Sequence, residues 1–192
     1  MITTFLTSTA VVTLAEIGDK TMLLAIVLAA RLRKPWAILA GIFVATVANH
    51  LLAAFVGSEV AGLLDTRAFR IAVALGFIAM AAWTLVPDKL DDDEDDLGLR
   101  SSGGAFLTTL VSFFLVEMGD KTQIATVALA AQYHQVLTIA AGTTLGMMIA
   151  DGPAVFFGDA LVKKVSLKAA RIVAALLFFG IGAWQLVELA KG

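Results

Sequence analysis

Six stretches of mainly apolar residues dominate the chain, at roughly 3–30, 36–57, 68–86, 105–131, 136–157 and 170–189. A run of about 20 such residues, wound as an α-helix, crosses the ~30 Å hydrocarbon core of a bilayer. Charged residues make up 16% of the 192 positions, whereas a soluble domain carries about a quarter. They sit in clusters between the apolar stretches. A soluble helical bundle would need a polar stripe along each helix, and Ile71–Val86 has almost none. The connectors leave no room for a separate soluble domain. The first stretch is too long for a signal peptide and carries Glu16, Asp19 and Lys20 in its middle, so it is expected to persist as a mature helix. The absence of Cys excludes disulfides and thiolate metal sites. No basic, aromatic-interleaved patch suggests a nucleic-acid partner.

The chain repeats itself. Glu16-Ile-Gly-Asp-Lys-Thr21 falls on Glu117-Met-Gly-Asp-Lys-Thr122, 101 positions later. At the same offset Gly41 meets Gly142, Gly57 meets Gly158, Arg70 meets Arg171 and Trp83 meets Trp184. Roughly thirty identities recur without a gap, more than shared apolarity produces. Each half holds three apolar stretches, and an odd number reverses the second half in the membrane. The expected fold is an all-α membrane protein with six transmembrane helices, arranged as two inverted three-helix repeats. Residues 1–90 form the first repeat, 91–104 an acidic linker and 105–192 the second. Inverted repeats commonly place a substrate site near the midplane between the halves.

Basic residues alternate between connectors. Arg31, Arg33 and Lys34 mark the first, Lys89 and Arg100 the third, and Lys163, Lys164, Lys168 and Arg171 the fifth, against Arg67 and Arg70 in the second. The positive-inside rule puts the odd connectors in the cytoplasm and both termini outside. The third connector contains Asp91-Asp-Asp-Glu-Asp-Asp96. It reads as a solvated hinge of repelling charges or as a cytoplasmic cation collector.

The motif residues fall inside spans, where a charged side chain costs ~2.5–3.5 kcal/mol or more. Glu16 with Lys20, and Glu117 with Lys121, have the spacing of a helical ion pair, which would serve charge balance. Asp19 and Asp120 have no further local cation. Glu and Asp three apart share a helix face, so two such faces would gather four carboxylates between the halves. With the two lysines they sum to −2 when all are ionised, the charge one divalent cation neutralises. Hard oxygen ligands suit Mg²⁺, Ca²⁺ or Mn²⁺. Thr21 and Thr122 either add hydroxyl ligands or bond back to their own helices. Gly18 and Gly119 either allow close packing, the expected role, or break the helix. Asn49, His50, Gln123 and Asp151 are further candidates. His50 would add a nitrogen ligand, which Mn²⁺ accepts better than Ca²⁺. Pro153 is expected to kink or interrupt the fifth span. Trp36, Trp83 and Trp184 are expected to anchor span ends at the interface.

At its doubled Glu-x-Gly-Asp-Lys-Thr the chain resembles the MneA-type manganese exporters and their Golgi and chloroplast-envelope relatives, formerly uncharacterised protein family 0016. That family carries two copies of Glu-x-Gly-Asp-(Lys/Arg)-(Thr/Ser) and an acidic central loop. The resemblance covers essentially the whole chain. It implies export of Mn²⁺, or in some members Ca²⁺, in exchange for protons. By motif it carries over Glu16, Asp19, Thr21, Glu117, Asp120 and Thr122 as the cation site. The expected chain is a carrier in the bacterial inner membrane, not an enzyme. The metal ion and protons are substrates, and no cofactor is implied. A homo-oligomer is compatible with the sequence but has no support in it. A Ca²⁺/H⁺ antiporter, an organic-solute exporter and a non-transporting assembly factor stay open as alternatives. A metalloenzyme ranks last, because the two His lie far apart and form no His-Glu-x-x-His.

Overall fold

The computed structural model describes residues 1–64, 66–87, 104–158 and 166–191. The acidic run 91–96, Lys89, Arg100, Lys163 and Lys164 lie outside the described residues. Among those described, the elements are α1 (Ile2–Glu16), α2 (Lys20–Leu32), α3 (Pro35–Leu63), α4 (Arg67–Thr84), α5 (Ala105–Glu117), α6 (Lys121–Tyr133), α7 (Val136–Phe157) and α8 (Leu167–Lys191). Four of them, α3, α4, α7 and α8, are long and apolar enough to cross a membrane by length and composition, while α1 and α5 are shorter apolar helices. Large apolar side chains such as Phe43, Phe55, Leu75 and Phe179 point outward and are exposed. An apolar outer surface of this extent suits lipid.

The first and fourth apolar stretches are each broken in two, contrary to the continuous helices expected there. Gly18 and Gly119 both take φ of 83°, a left-handed conformation in which only glycine is unstrained. A helix stops at such a residue, and Asp19 or Asp120 then caps the next one. Pro153 does not interrupt its helix, since α7 runs through it.

The repeat is written into the backbone. Arg33 and His134, 101 positions apart, end α2 and α6 in the left-handed conformation. Their amides bond to Ala29 O at 3.1 Å and Ala130 O at 2.9 Å, the single-bond form of helix C-cap. Contacts between the halves are reciprocal. A methyl group on Gly41 would lie 2.8 Å from Phe106 O, and one on Gly142 would lie 2.8 Å from Phe5 O. Equivalent positions also meet each other. Thr46 Oγ1 donates to Met147 Sδ at 2.8 Å, and Phe77 stacks on Phe178 with centroids 6.4 Å apart. Positions 101 apart thus make reciprocal contacts or meet each other.

Helices of one half therefore pack mainly on those of the other: α1 on α7, α5 on α3, and α4 on α8. The apolar core divides into two clusters. One gathers Ala54, Phe77, Leu129, Ile139 and Phe178. The other gathers Leu24, Ile38, Ile42, Phe113 and Val155. Along α3, Asn49 and His50 fall between Ala45 of one cluster and Ala54 of the other. Along α7, Asp151 falls between Ala140 and Ala154 in the same way. A buried polar layer thus separates two apolar ones.

Candidate cation site

Each Glu-x-Gly-Asp-Lys-Thr motif is a helix-break-helix unit. The Glu ends one helix, the Gly turns the chain, the Asp caps the next helix, and the Lys and Thr open it. The turn is held by Asp19 N to Glu16 O at 3.0 Å and Asp120 N to Glu117 O at 3.1 Å. The break leaves the last carbonyls of α1 and α5 without their usual helical partners. The capping Asp sits at the positive end of a helix dipole, which favours its charge. Asp120 accepts from Lys121 N at 2.7 Å.

Two breaks and two long helices bring the polar groups together. Glu16, Asp19, Thr21, Asn49, His50, Glu117, Asp120, Lys121, Thr122 and Asp151 are all buried. Asp151, Glu117, Asp19 and Asp120 all lie within electrostatic reach of Glu16. Lys20 lies within reach of Glu117. His50 Nε2 is 3.9 Å from Glu117 Oε1. Acids from both repeats therefore form one cluster, with the equivalent positions His50 and Asp151 beside it.

The hydrogen bonds within the cluster are local. Thr21 donates its hydroxyl to Glu16, and Thr122 donates to Glu117. Both threonines thus bond to the motif's own Glu. The second oxygens of Glu16 and Glu117, both oxygens of Asp151, the side-chain oxygen of Asn49 and both ring nitrogens of His50 have no hydrogen-bond partner. Buried polar atoms are rarely left so, and an ion or water is the usual explanation. Among the described residues, no three His or acidic side chains are already spaced to hold an ion. The donors are gathered, but their contacts with one another would have to open first.

Three readings of the sequence change. A Glu–Lys pair four residues apart needs an unbroken helix, and the turns at Gly18 and Gly119 remove it. Lys121 instead reaches Asp19 of the other repeat at 3.5 Å. Trp83 is more than an interface anchor, because Lys121 Nζ lies 5.8 Å from its ring centroid, within cation–π range. Gln123 accepts from Gly119 N at 2.6 Å, so its side-chain oxygen closes the broken turn.

The sequence reading missed the polar ties that hold the layer. Thr13 Oγ1 donates to Gly146 O at 3.2 Å, and Asn49 Nδ2 donates to Phe114 O at 3.1 Å. Thr13 and Phe114 are equivalent positions, so these bonds fasten α1 to α7 and α5 to α3 from matching places on α1 and α5. Their signals are Thr13, one of five threonines in α1, and Asn49, and neither residue type names its partner.

The two turns differ in access. Gly18 is buried against Leu167, whereas Gly119 faces open space and Met118 beside it is 53% exposed.

Comparison with known proteins agrees with this architecture. Residues 4–92 and 105–192 match the family described as divalent cation/proton antiporter GDT1. A Vibrio cholerae protein named "Putative manganese exporter" is 48% identical over 87% of this chain and 82% of its own length. A GDT1-like protein of Synechocystis is 30% identical over 96% of this chain and 98% of its own. GDT1-like protein 4 of rice, Oryza sativa, is 30% identical over 92% and 70%. No solved structure matches the chain. The resemblance drawn from the doubled motif is borne out: the chain is an integral membrane protein belonging to the GDT1 family of divalent cation/proton antiporters.

Proposed function

We propose that the chain exports Mn²⁺ from the cytoplasm in exchange for protons, by alternating access around the carboxylate cluster. The observation that carries this reading is the set of partnerless buried oxygens on Glu16, Glu117 and Asp151, contributed by both repeats. In this scheme α1–α2 and α5–α6 each make one span, giving six spans in two inverted sets of three. Arg31, Arg33 and Lys34 then mark the cytoplasmic side, and both termini lie outside in a bacterial inner membrane.

A cation entering the layer draws Glu16 and Glu117 away from their threonines and displaces Lys121 from Asp19. Asp120 completes the carboxylate set, and Thr21 and Thr122 supply hydroxyls. After rocking, protons from outside replace the ion on the same acids and return with them. Acids that bind a proton or a cation, but not both, couple the two flows. The unequal access at Gly18 and Gly119 supports this scheme, because a carrier at rest exposes its site to one side.

Mn²⁺ is preferred over Ca²⁺ on the donor set. Ca²⁺ takes oxygen ligands throughout, whereas His50 offers an imidazole nitrogen beside Glu117. The name of the Vibrio cholerae relative agrees with this choice. The test is Mn²⁺ uptake by purified protein in liposomes, with Ca²⁺ as competitor. Uptake that Ca²⁺ blocks only in large excess supports Mn²⁺. Uptake of Ca²⁺ in preference would reassign the cargo, and transport of neither ion would sink the proposal.

A further inference from the structure

The ends of α3, α6 and α8 and the start of α4 meet on one side of the molecule. They enclose a cavity of about 350 Å³ whose polar lining is Arg70, Gln132, His134, Gln185 and Glu188. The side-chain oxygens of Gln132 and Gln185 are buried and lack a hydrogen-bond partner. Glu188 is exposed and lies 3.3 Å from Lys191. The rim is tied by Arg67, which donates to Leu189 O at 2.9 Å.

This polar cavity adjoins an apolar one. A groove of about 600 Å³ runs between α3, α4 and α6, past Gly76, Met80, Trp83 and Ile124. Phe69, Val73 and Ala131 line both cavities. Gly76 helps to keep the groove empty: a methyl group built there meets no atom within 4 Å.

We infer that the two cavities together bind one membrane phospholipid with a zwitterionic amine headgroup, phosphatidylethanolamine. A polar pocket at helix ends that continues into an apolar groove matches the shape of a headgroup and its chain. The charges match as well. Arg70 and His134 suit the phosphate, since basic pockets between membrane helices hold lipid headgroups. Glu188 and the Gln132 and Gln185 oxygens suit the primary ammonium and its three donors. A purely anionic headgroup would bring Glu188 no cation beyond Lys191, and a trimethylated amine has no proton to donate. The chain itself gains little by entering the groove, because lipid tails are as apolar as its walls. Selection therefore falls on the headgroup. In the orientation proposed above, the lipid comes from the outer leaflet.

The experiment is native mass spectrometry of the full chain in detergent, with phosphatidylethanolamine, phosphatidylcholine or phosphatidylglycerol added at equal concentration. The wild type should retain phosphatidylethanolamine about tenfold better than the other two, one decade in affinity. Gly76→Leu fills the groove and should lose the adduct while its melting temperature holds. Glu188→Gln lies at an exposed position and should erase the preference for the amine headgroup. Equal retention of all three lipids by the wild type would overturn the inference. Unchanged preference in both variants would overturn it too.

Discussion

Lys121 at the start of α6 lies 3.5 Å from Asp19 at the start of α2, so each half lends a charge to the other's break. Both side chains are almost fully buried. Removing one partner of a buried pair strands the other's charge, at a cost of about 3–5 kcal/mol. Lys121→Met should therefore lower the unfolding temperature of metal-free protein markedly. In the export scheme this lysine stands where a cation will act, so Mn²⁺ should restore part of the lost stability. Thermal unfolding with and without MnCl₂ checks this. An equal metal effect in wild type and variant would mean that Lys121 and the ion do not compete.

The two glycines at the breaks share one conformation but differ in surroundings. Alanine in the left-handed region costs roughly 1 kcal/mol. At Gly18 it would also press on Leu167, whose Cδ2 lies 3.1 Å from the added carbon, while at Gly119 nothing is near. Gly18→Ala should thus destabilise more than Gly119→Ala. Melting curves of the two variants decide it, and the reverse order would contradict the packing at Leu167.

His50 and Asp151 occupy equivalent positions yet differ in chemistry. Both oxygens of Asp151 lack hydrogen-bond partners, so Asp151→Asn should fold normally and transport poorly. His50→Asp would make the pair symmetric and all-oxygen. It should shift preference from Mn²⁺ toward Ca²⁺, by about tenfold if one ligand contributes ~1.4 kcal/mol. Competition in liposomes reads this directly. An unchanged ratio would remove His50 from the account of selectivity.

Asn49 holds α3 to α5 through Phe114 O at 3.1 Å, and its own oxygen has no partner. Asn49→Leu leaves a buried carbonyl bare, at a cost of about 1–3 kcal/mol. Asn49→Asp keeps an oxygen but loses the donor. If Asn49 only fastens the helices, both variants should lose stability alike. Greater Mn²⁺ uptake by Asn49→Asp than by Asn49→Leu would give that oxygen a part in the site.

The sequence carried the repeat and the clustered acids because both depend on position alone. A fixed offset pairs Glu16 with Glu117, and contact across the repeat then follows from the reciprocal packing. The helix breaks were half visible. Gly followed by Asp is a stop signal followed by a start signal, but the apolar residues on either side run on as one span. What depends on side-chain direction stayed hidden. Asp19 meeting Lys121 and the indole of Trp83 beside Lys121 are set by how helices distant in sequence pack. No local pattern encodes them.

The central claim is that one site, shared by both repeats, exchanges a divalent cation for protons. The most direct measurement is Mn²⁺ uptake into inverted vesicles whose lumen is made acidic. Protons leaving the lumen should drive Mn²⁺ in, and collapsing the gradient with an ionophore should stop it. Asp19→Asn and Asp120→Asn should each abolish the uptake, because each removes one half's contribution. Uptake indifferent to the gradient, or normal uptake by both variants, would contradict the account.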